Sequence, residues 1–488
     1  MQHIHAARSA TAASPLSRFP SRIRTLAVCL SAALATPLVA LQAAASPGTA
    51  QVASSRGAAI PKTPTHALGQ SWTVKNCDDS GTDSLRGIIE NPMTLSGDTV
   101  DLSELPVRCG MANSVITLAS EIAVTQDDLT LLGPTEGTAT ISAAGMSRVF
   151  HHTGTGTLSL NGLTVSDGYY HGPANVYGGC IDSSSGNVFL SHVVVSGCAV
   201  LSDNGFANGG GVAADVGNVT LVASRISGNH AAVGAGNNHG GWGGGVYSLG
   251  PTLAWYSSIS GNTADKGFGG GIATQEGVTA IASTIDQNTG GYGGGIGTTG
   301  PTTIVDSTIS RNAATSYEGG GIHVFQAPLS IANSTIAFNE AASVGTGGVN
   351  FQGAPGSNTL TLTSSIIYGN TSGAANAPSD IYVVPGTGSL AGADNLVGLS
   401  NLFDPVVITV TADPKLGPLQ FNGGPTRTHQ LLAGSPALGI GNISGLPPTI
   451  TTDQRGNGYP RTTGSNNPVE LGATQFDSIC VKSFNSLV

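Results

Sequence analysis

Aromatic side chains are scarce in this chain, 5% of residues, yet six of them fall at nearly one place in a repeated unit. Tyr177, Trp242, Phe268 and Tyr292 stand directly before a Gly pair or triplet, Tyr317 one residue further away and Phe206 two. If the repeats stack, these rings align as a ladder. Such a ladder can serve as a flat apolar strip for sugar rings or for a partner surface. The same residues would equally serve a structural stack that shields Gly-rich backbone. His239, in the long segment before Trp242, belongs to the same candidate binding set.

Catalytic constellations are weaker. A polysaccharide lyase needs carboxylates that hold Ca²⁺ with a Lys or Arg base beside them, and a glycosidase needs a carboxylate pair. Between residues 177 and 370 the only basic residues are Arg225, Lys266 and Arg311. Asp286 and Asp306 share a strand region of neighbouring repeats but not a register position: Asp306 precedes Ser307, whereas Asp286 follows Ile285. No catalytic residue is assigned. The histidines show neither His-x-x-x-His nor Cys-x-x-Cys spacing. His230 and His239, which share one loop, are the only pair worth testing for a metal, and no metal or cofactor is expected.

The elements that must position these groups come from the repeat itself. Gly-Gly-Gly-Ile occurs at residues 269–272, 293–296 and 319–322, and Gly-Gly-Gly-Val at 209–212 and 243–246. Each copy is followed, 17 or 18 residues after its third Gly, by Asn229, Asn262, Asn288, Asn312 or Asn339. Around residues 271–273, 278–281 and 283–286 lie three short β-prone pieces with alternating apolar and small polar residues. None is long enough for an amphipathic helix. One coil cannot bury its apolar side, but stacked coils can, so a β-solenoid is expected. The recurring Asn suits a turn, and stacked amides can hydrogen-bond along the axis. From Asn to the next third Gly the count varies, from 7 residues after Asn288 to 16 after Asn229. Length variation therefore sits at one corner, where loops 199–208 and 230–242 should protrude and carry binding.

Only 9% of the 488 residues are charged, Gly numbers 71, and the net charge is −10. A Gly-punctuated β-structure fits; a nucleic-acid partner does not. Arg18, Arg22 and Arg24 precede an apolar run at 26–41 and a small-residue stretch at 43–45, which reads as a signal peptide over 1–45. Residues 46–70 read as a Pro/Ala/Ser/Thr-rich linker, and no later segment could span a membrane. Export permits disulfides. Cys180 and Cys198 hold the third-Gly and Asn positions of their own repeat, which should lie close in space, so a bridge is expected; Cys77 and Cys109 pair by elimination and location, leaving Cys480 over. A strand at 71–74 is expected, then a short helix at 84–90 capped by Asp83, covering the first coil.

With these residues in view, the chain resembles right-handed parallel β-helix proteins of bacterial surfaces. The Gly-Gly-Gly-Ile and Ile-x-x-Asn repeats are similar to the Gly-Gly-Ala-Ile and Phe-x-x-Asn repeats of chlamydial polymorphic outer membrane proteins. The stretch from Cys77 to Arg86 resembles the N-terminal cap of secreted bacterial β-helix proteins. Residues 413–442, with Asp453-Gln454-Arg455-Gly456 and Glu470-Leu471-Gly472-Ala473, resemble a choice-of-anchor Q domain. The resemblance implies architecture more than activity. The resulting expectation is an all-β, right-handed parallel β-helix of roughly ten coils over 71–403, with a short N-terminal capping helix. A loop-rich C-terminal cap over 404–476 and a tail at 477–488 follow. The expected role is a secreted or surface-associated adhesin-like scaffold for glycans or a neighbouring cell-surface component. The alternative is a polysaccharide lyase or glycoside hydrolase of the pectate-lyase-like type.

Overall fold

The computed structural model describes residues 69–476, apart from 106–108, 110–112, 343–344, 355–357, 374–376 and 463–468. The expected signal peptide, the linker up to residue 68, the tail and Cys480 lie outside the described residues.

The expected all-β solenoid of about ten turns is what the chain forms. One coil shows the construction. Ile272–Thr274 lies on a first face, Val278–Ile281 on a second and Thr284–Asp286 on a third. Each strand pairs in parallel with its counterparts in the coils before and after, which yields sheets of 10, 12 and 12 strands respectively. In-register stacking puts like on like: Ile272 faces Ile296 and Ile296 faces Ile322, while Ile259, Ile285, Ile309 and Ile336 form a second row. All seven isoleucines are 0–1% exposed and fill the interior. Burial of that order stabilises by about 1.5–3 kcal/mol per side chain, and it repeats with every coil.

The first Gly of each triplet has a definite reason. Gly269 has φ +63, and a Cβ there would sit 2.0 Å from the Ile272 carbonyl oxygen. The chain turns back on itself within four residues, and only Gly fits. The recurring Asn does not itself take the left-handed turn conformation, but its amides do hydrogen-bond along the axis as expected. The left-handed residue is the one before it: Gly228, Gly261, Gln287, Arg311, Phe338 and Gly369. The Asn side chains point inward and form a ladder. Nδ2 of Asn229, Asn262, Asn288, Asn312 and Asn339 each donates to Oδ1 of the next, at 2.8–2.9 Å. Asn370 closes the row by donating to Asp380 Oδ1 at 2.8 Å. Backbone N–H groups of the same residues donate into the same oxygens, so a whole corner is satisfied internally.

Three expectations are refined. A fourth strand, such as Thr289–Gly290, follows each Asn and builds a nine-stranded side sheet that the three-piece pattern does not contain. Strands this short leave no periodic signal. Segments 199–208 and 230–242 accordingly add strands (Ala199–Ser202, Ala207–Asn208, His230–Val233, Gly241–Trp242) that stack as an extra layer and do not simply protrude. The helix α1, Leu85–Ile89, is capped by Ser84, whose Oγ accepts from Gly87 N–H; Asp83 takes φ +60 and pairs with Lys75 instead. Leu85, Ile88 and Ile89 are buried against the first coils.

The strands end with Asn395–Val397 and Ile408–Val410, followed by a hairpin of Leu416–Gln420 and Thr428–Leu431. The loop-rich C-terminal segment does more than follow the last coil: it returns along the outside of the third face. Arg427 pairs with Asp286 at 2.6 Å, Arg461 Nε with Asp306 at 2.9 Å, and Gln454 bridges Thr284 and Thr308. Both expected disulfides form, with Cα–Cα separations of 6.1 Å for Cys77–Cys109 and 5.4 Å for Cys180–Cys198. No helix among the described residues is long and apolar enough to cross a membrane.

Candidate functional site

The middle residue of each first-face strand points outward. Register places His151, Asp182, Ala213, Tyr247, Ala273, Gly297, His323, Asn350 and Tyr382 in one row. Residues that look scattered in the sequence, His151, Asp182 and His323 among them, thus share one line. The signal that could have found them is their position: each follows the apolar residue at the end of a Gly-Gly-x-Ile or equivalent stretch.

The aromatic residues form the expected ladder and lie beside this row. Phe206 meets His239 and Trp242 edge-on at 4.7 and 5.7 Å, and Trp242 meets Phe268 at 5.1 Å. Phe268 and Tyr292 stack at 4.9 Å with planes 17° apart, and Tyr292 and Tyr317 at 4.2 Å with planes 10° apart. Tyr177 joins through Tyr247, at 6.1 Å. Inner rings cover the outward row: Trp242, Phe268 and Tyr177 pack on Ala213, Tyr247 and Ala273, and Phe268 and Tyr292 on His323. Burial holds the His323 imidazole neutral, with its pKa down at about 4. Burial and the neighbouring Tyr317 push the Tyr292 hydroxyl up to about 12.

This geometry bears on what the ladder can offer. In the Phe268–Tyr292–Tyr317 run the ring faces are turned on one another, so solvent meets ring edges. A sugar stacks on a ring face, not on an edge. The run ends at Tyr317, 50% exposed, whose outer face carries no ring partner among the described residues.

Directly after Tyr317 comes Glu318, which sequence reasoning did not single out. It lines an open cleft of about 360 Å³ with Gly345, Thr346, Ser379, Ile381, Tyr382, Leu399, Ser400 and Asn401. Glu318 accepts from Asn350 Nδ2 at 2.5 Å, and burial raises its pKa above the usual Glu value. Asn401 is fixed by both its amide atoms to the Val383 backbone, at 2.8 Å each.

At the opposite end of the ladder lies a charged cluster that the sequence also hid. Arg148 sits between Glu121 and Asp182, at 2.8 and 3.0 Å, with its guanidinium 3.9 Å over the Tyr170 ring. His151 lies 3.6 Å from the same two carboxylates. The neighbouring His151 and Arg148 hold Glu121 down at about 2, whereas burial pushes Asp182 up. Asp215, in the next coil, is pushed up to about 8 by burial and by Asp182.

The remaining sequence candidates are accounted for. His230 pairs with Asp265 at 2.9 Å and His239 with the Phe206 ring, so the two do not converge on one point. No group of three or more His, Cys, Asp or Glu that could hold a metal occurs among the described residues. Asp286 and Asp306 are bound by Arg427 and Arg461 of the C-terminal segment. Comparison with family models, with curated proteins and with solved structures finds no match to this chain.

Proposed function

We propose that this protein is an exported, non-catalytic β-helix scaffold that binds glycans, or a glycan-bearing partner, at or outside the cell surface. One observation carries the reading: an aromatic edge runs along a rigid solenoid into a cleft lined by hydroxyls, one carboxyl and a tyrosine, with no basic side chain among the lining residues. Sugar sites combine an exposed ring face, here that of Tyr317 at the end of the edge, with a few fixed polar groups. The basic leader, the apolar run behind it and two disulfides fit an oxidising destination.

The carboxylates argue against catalysis. Asp182, Asp286 and Asp306 are each engaged by an arginine, and Glu318 by an asparagine. A lyase needs a base beside metal-binding carboxylates, and the cleft has none. The test is a glycan array probed with the purified mature chain, followed by product analysis of every polysaccharide retained. Retention without shorter or unsaturated products supports the scaffold. Cleavage refutes it and directs attention to Asp182 and Asp215, where burial and a neighbouring carboxylate push a carboxyl up to about 8.

A further inference from the structure

The glycan-binding reading leaves open where along the edge a ligand sits and what it is. We infer that the cleft beside Tyr317, walled by Glu318, Thr346, Ser379, Tyr382 and Leu399, seats the terminal mono- or disaccharide of a neutral glycan, and that the ladder behind it is its support. This inference rests on the binding reading above.

Three observations lead there. First, the stacked rings have no free faces until Tyr317, so the run cannot receive a chain of sugars face-on along its length. Second, the cleft has the right scale. At about 360 Å³ it lies near the lower limit of the ~300–1,000 Å³ typical of small-ligand sites, which admits a chain end and not an extended strand. Third, its chemistry selects. The lining supplies hydroxyls from Ser379, Ser400 and Tyr382, the Glu318 carboxyl, and apolar surface from Leu399, with no Lys, Arg or His; Thr346 and Ile381, 2% and 3% exposed, back the wall. A uronic acid or sulfated sugar would bring a second negative group beside Glu318 with no cation to meet it. Neutral hydroxyls can both donate to that carboxyl and accept from the tyrosine.

The walls are also pre-formed, which lowers the ordering cost of binding. They come from successive coils joined by backbone bonds: Gly319 N–H donates to Thr346 O at 2.8 Å, Gly348 N–H to Ser379 O at 3.0 Å, and Ile381 N–H to Leu399 O at 3.0 Å. Asn350, fully buried, donates to Glu318 and holds it in place.

The experiment uses the full chain on a printed array of neutral, N-acetylated and uronic-acid-containing glycans. Titration then follows with the free mono- or disaccharide that ends the best-retained glycan. Neutral termini should be retained and uronic termini not. Tyr382→Ala should weaken binding by about tenfold or more, and Glu318→Gln by several-fold. Tyr382→Phe keeps the packing and removes only the hydroxyl, so its weaker binding decides the matter even where Tyr382→Ala disturbs the last coils. Preferential retention of uronic termini would overturn the inference. So would loss of binding in Trp242→Ala with binding intact in Tyr382→Ala and Glu318→Gln, because the ladder would then be the site. Retention of no glycan at all would overturn the binding reading itself, and this site with it.

Discussion

Asn288→Ala tests what holds the solenoid together. Asn288 is fully buried. Its Oδ1 accepts from both Asn262 N–H and Asn262 Nδ2, at 3.0 and 2.9 Å. Its Nδ2 donates to Asn312 Oδ1 and to Ile259 O, at 2.9 Å each. Truncation leaves two donors of Asn262 without an acceptor and removes one donor from the Ile259 carbonyl. Asn312 Oδ1 retains its bond from Asn288 N–H, at 3.0 Å, and is not orphaned. At ~1–3 kcal/mol for each stranded donor and about 1 for the carbonyl, the loss is about 3–7 kcal/mol. A water seated in the vacated space would bring it to the low end. Denaturant unfolding followed by circular dichroism gives the total. Hydrogen exchange gives its location, which should be confined to the coils containing Asn262, Asn288 and Asn312. The exposed Asn218→Ala, by contrast, should stay within about 0.5 kcal/mol of the parent. A loss below about 1 kcal/mol for Asn288→Ala would show that the ladder is a by-product of stacking and not a source of stability.

Other outcomes follow from named contacts. The Cys180–Cys198 bridge closes an 18-residue separation, so Cys198→Ser should cost about 3 kcal/mol by chain entropy and lower the thermal midpoint, with an equal shift on reduction of the parent reduced at this bridge alone. The Asp215 carboxyl rises from 3.8 to about 8 in the folded chain, so the native state holds its proton where the unfolded state does not. Its contribution is therefore full below about pH 4 and is lost as pH rises toward 8; Asp215→Asn should flatten that decline and raise the midpoint at pH 8, and an unchanged pH profile would refute the assignment. Arg148→Met leaves Asp182, 4% exposed, without its cation and should cost about 3–5 kcal/mol, with exchange protection lost first in Tyr169–Gly172; uniform loss over all coils would contradict a local anchoring role.

How much of this could be read from the sequence depended on whether a feature repeats. Gly triplets and the Asn spacing recur with every coil, so solenoid stacking, the ladder of aromatics and the Cys180–Cys198 contact follow from arithmetic on positions. Single events do not recur. Glu318 is one carboxyl beside one cleft, and its neighbours Tyr382 and Leu399 come from later coils and the end cover. The Arg148 cluster joins Glu121, His151 and Asp182 from three coils, before the Gly triplets begin. The return of the C-terminal segment along the third face was equally hidden, since Arg427 and Arg461 reach Asp286 and Asp306 across more than a hundred residues. Ring orientation was invisible for another reason: position fixes which rings neighbour one another, and side-chain torsions fix whether faces or edges meet solvent.

The position of the Arg148 cluster has a physical logic. The side layer begins with Tyr169–Gly172 and Val176–Tyr177, and neither strand has an earlier strand to stack on. Every later strand of the layer inherits a template from the coil before it; the first must be held by something else. Arg148 does this. Its guanidinium lies under Tyr170, donates to the Tyr177 carbonyl at 3.2 Å, and is fixed in turn by Glu121 and Asp182. A buried arginine between two carboxylates is a costly arrangement, and the cost shows at Asp182, whose Oδ1 is buried without a hydrogen-bond partner and whose carboxyl burial pushes up. From that anchor the side sheet grows by stacking through Glu340–Ala341 and Thr371–Ser372, while the ring ladder stops at Tyr317, where the cleft opens. Charge therefore concentrates where the ladder starts, whereas the cleft at its other end is lined by hydroxyls and the single Glu318 carboxyl.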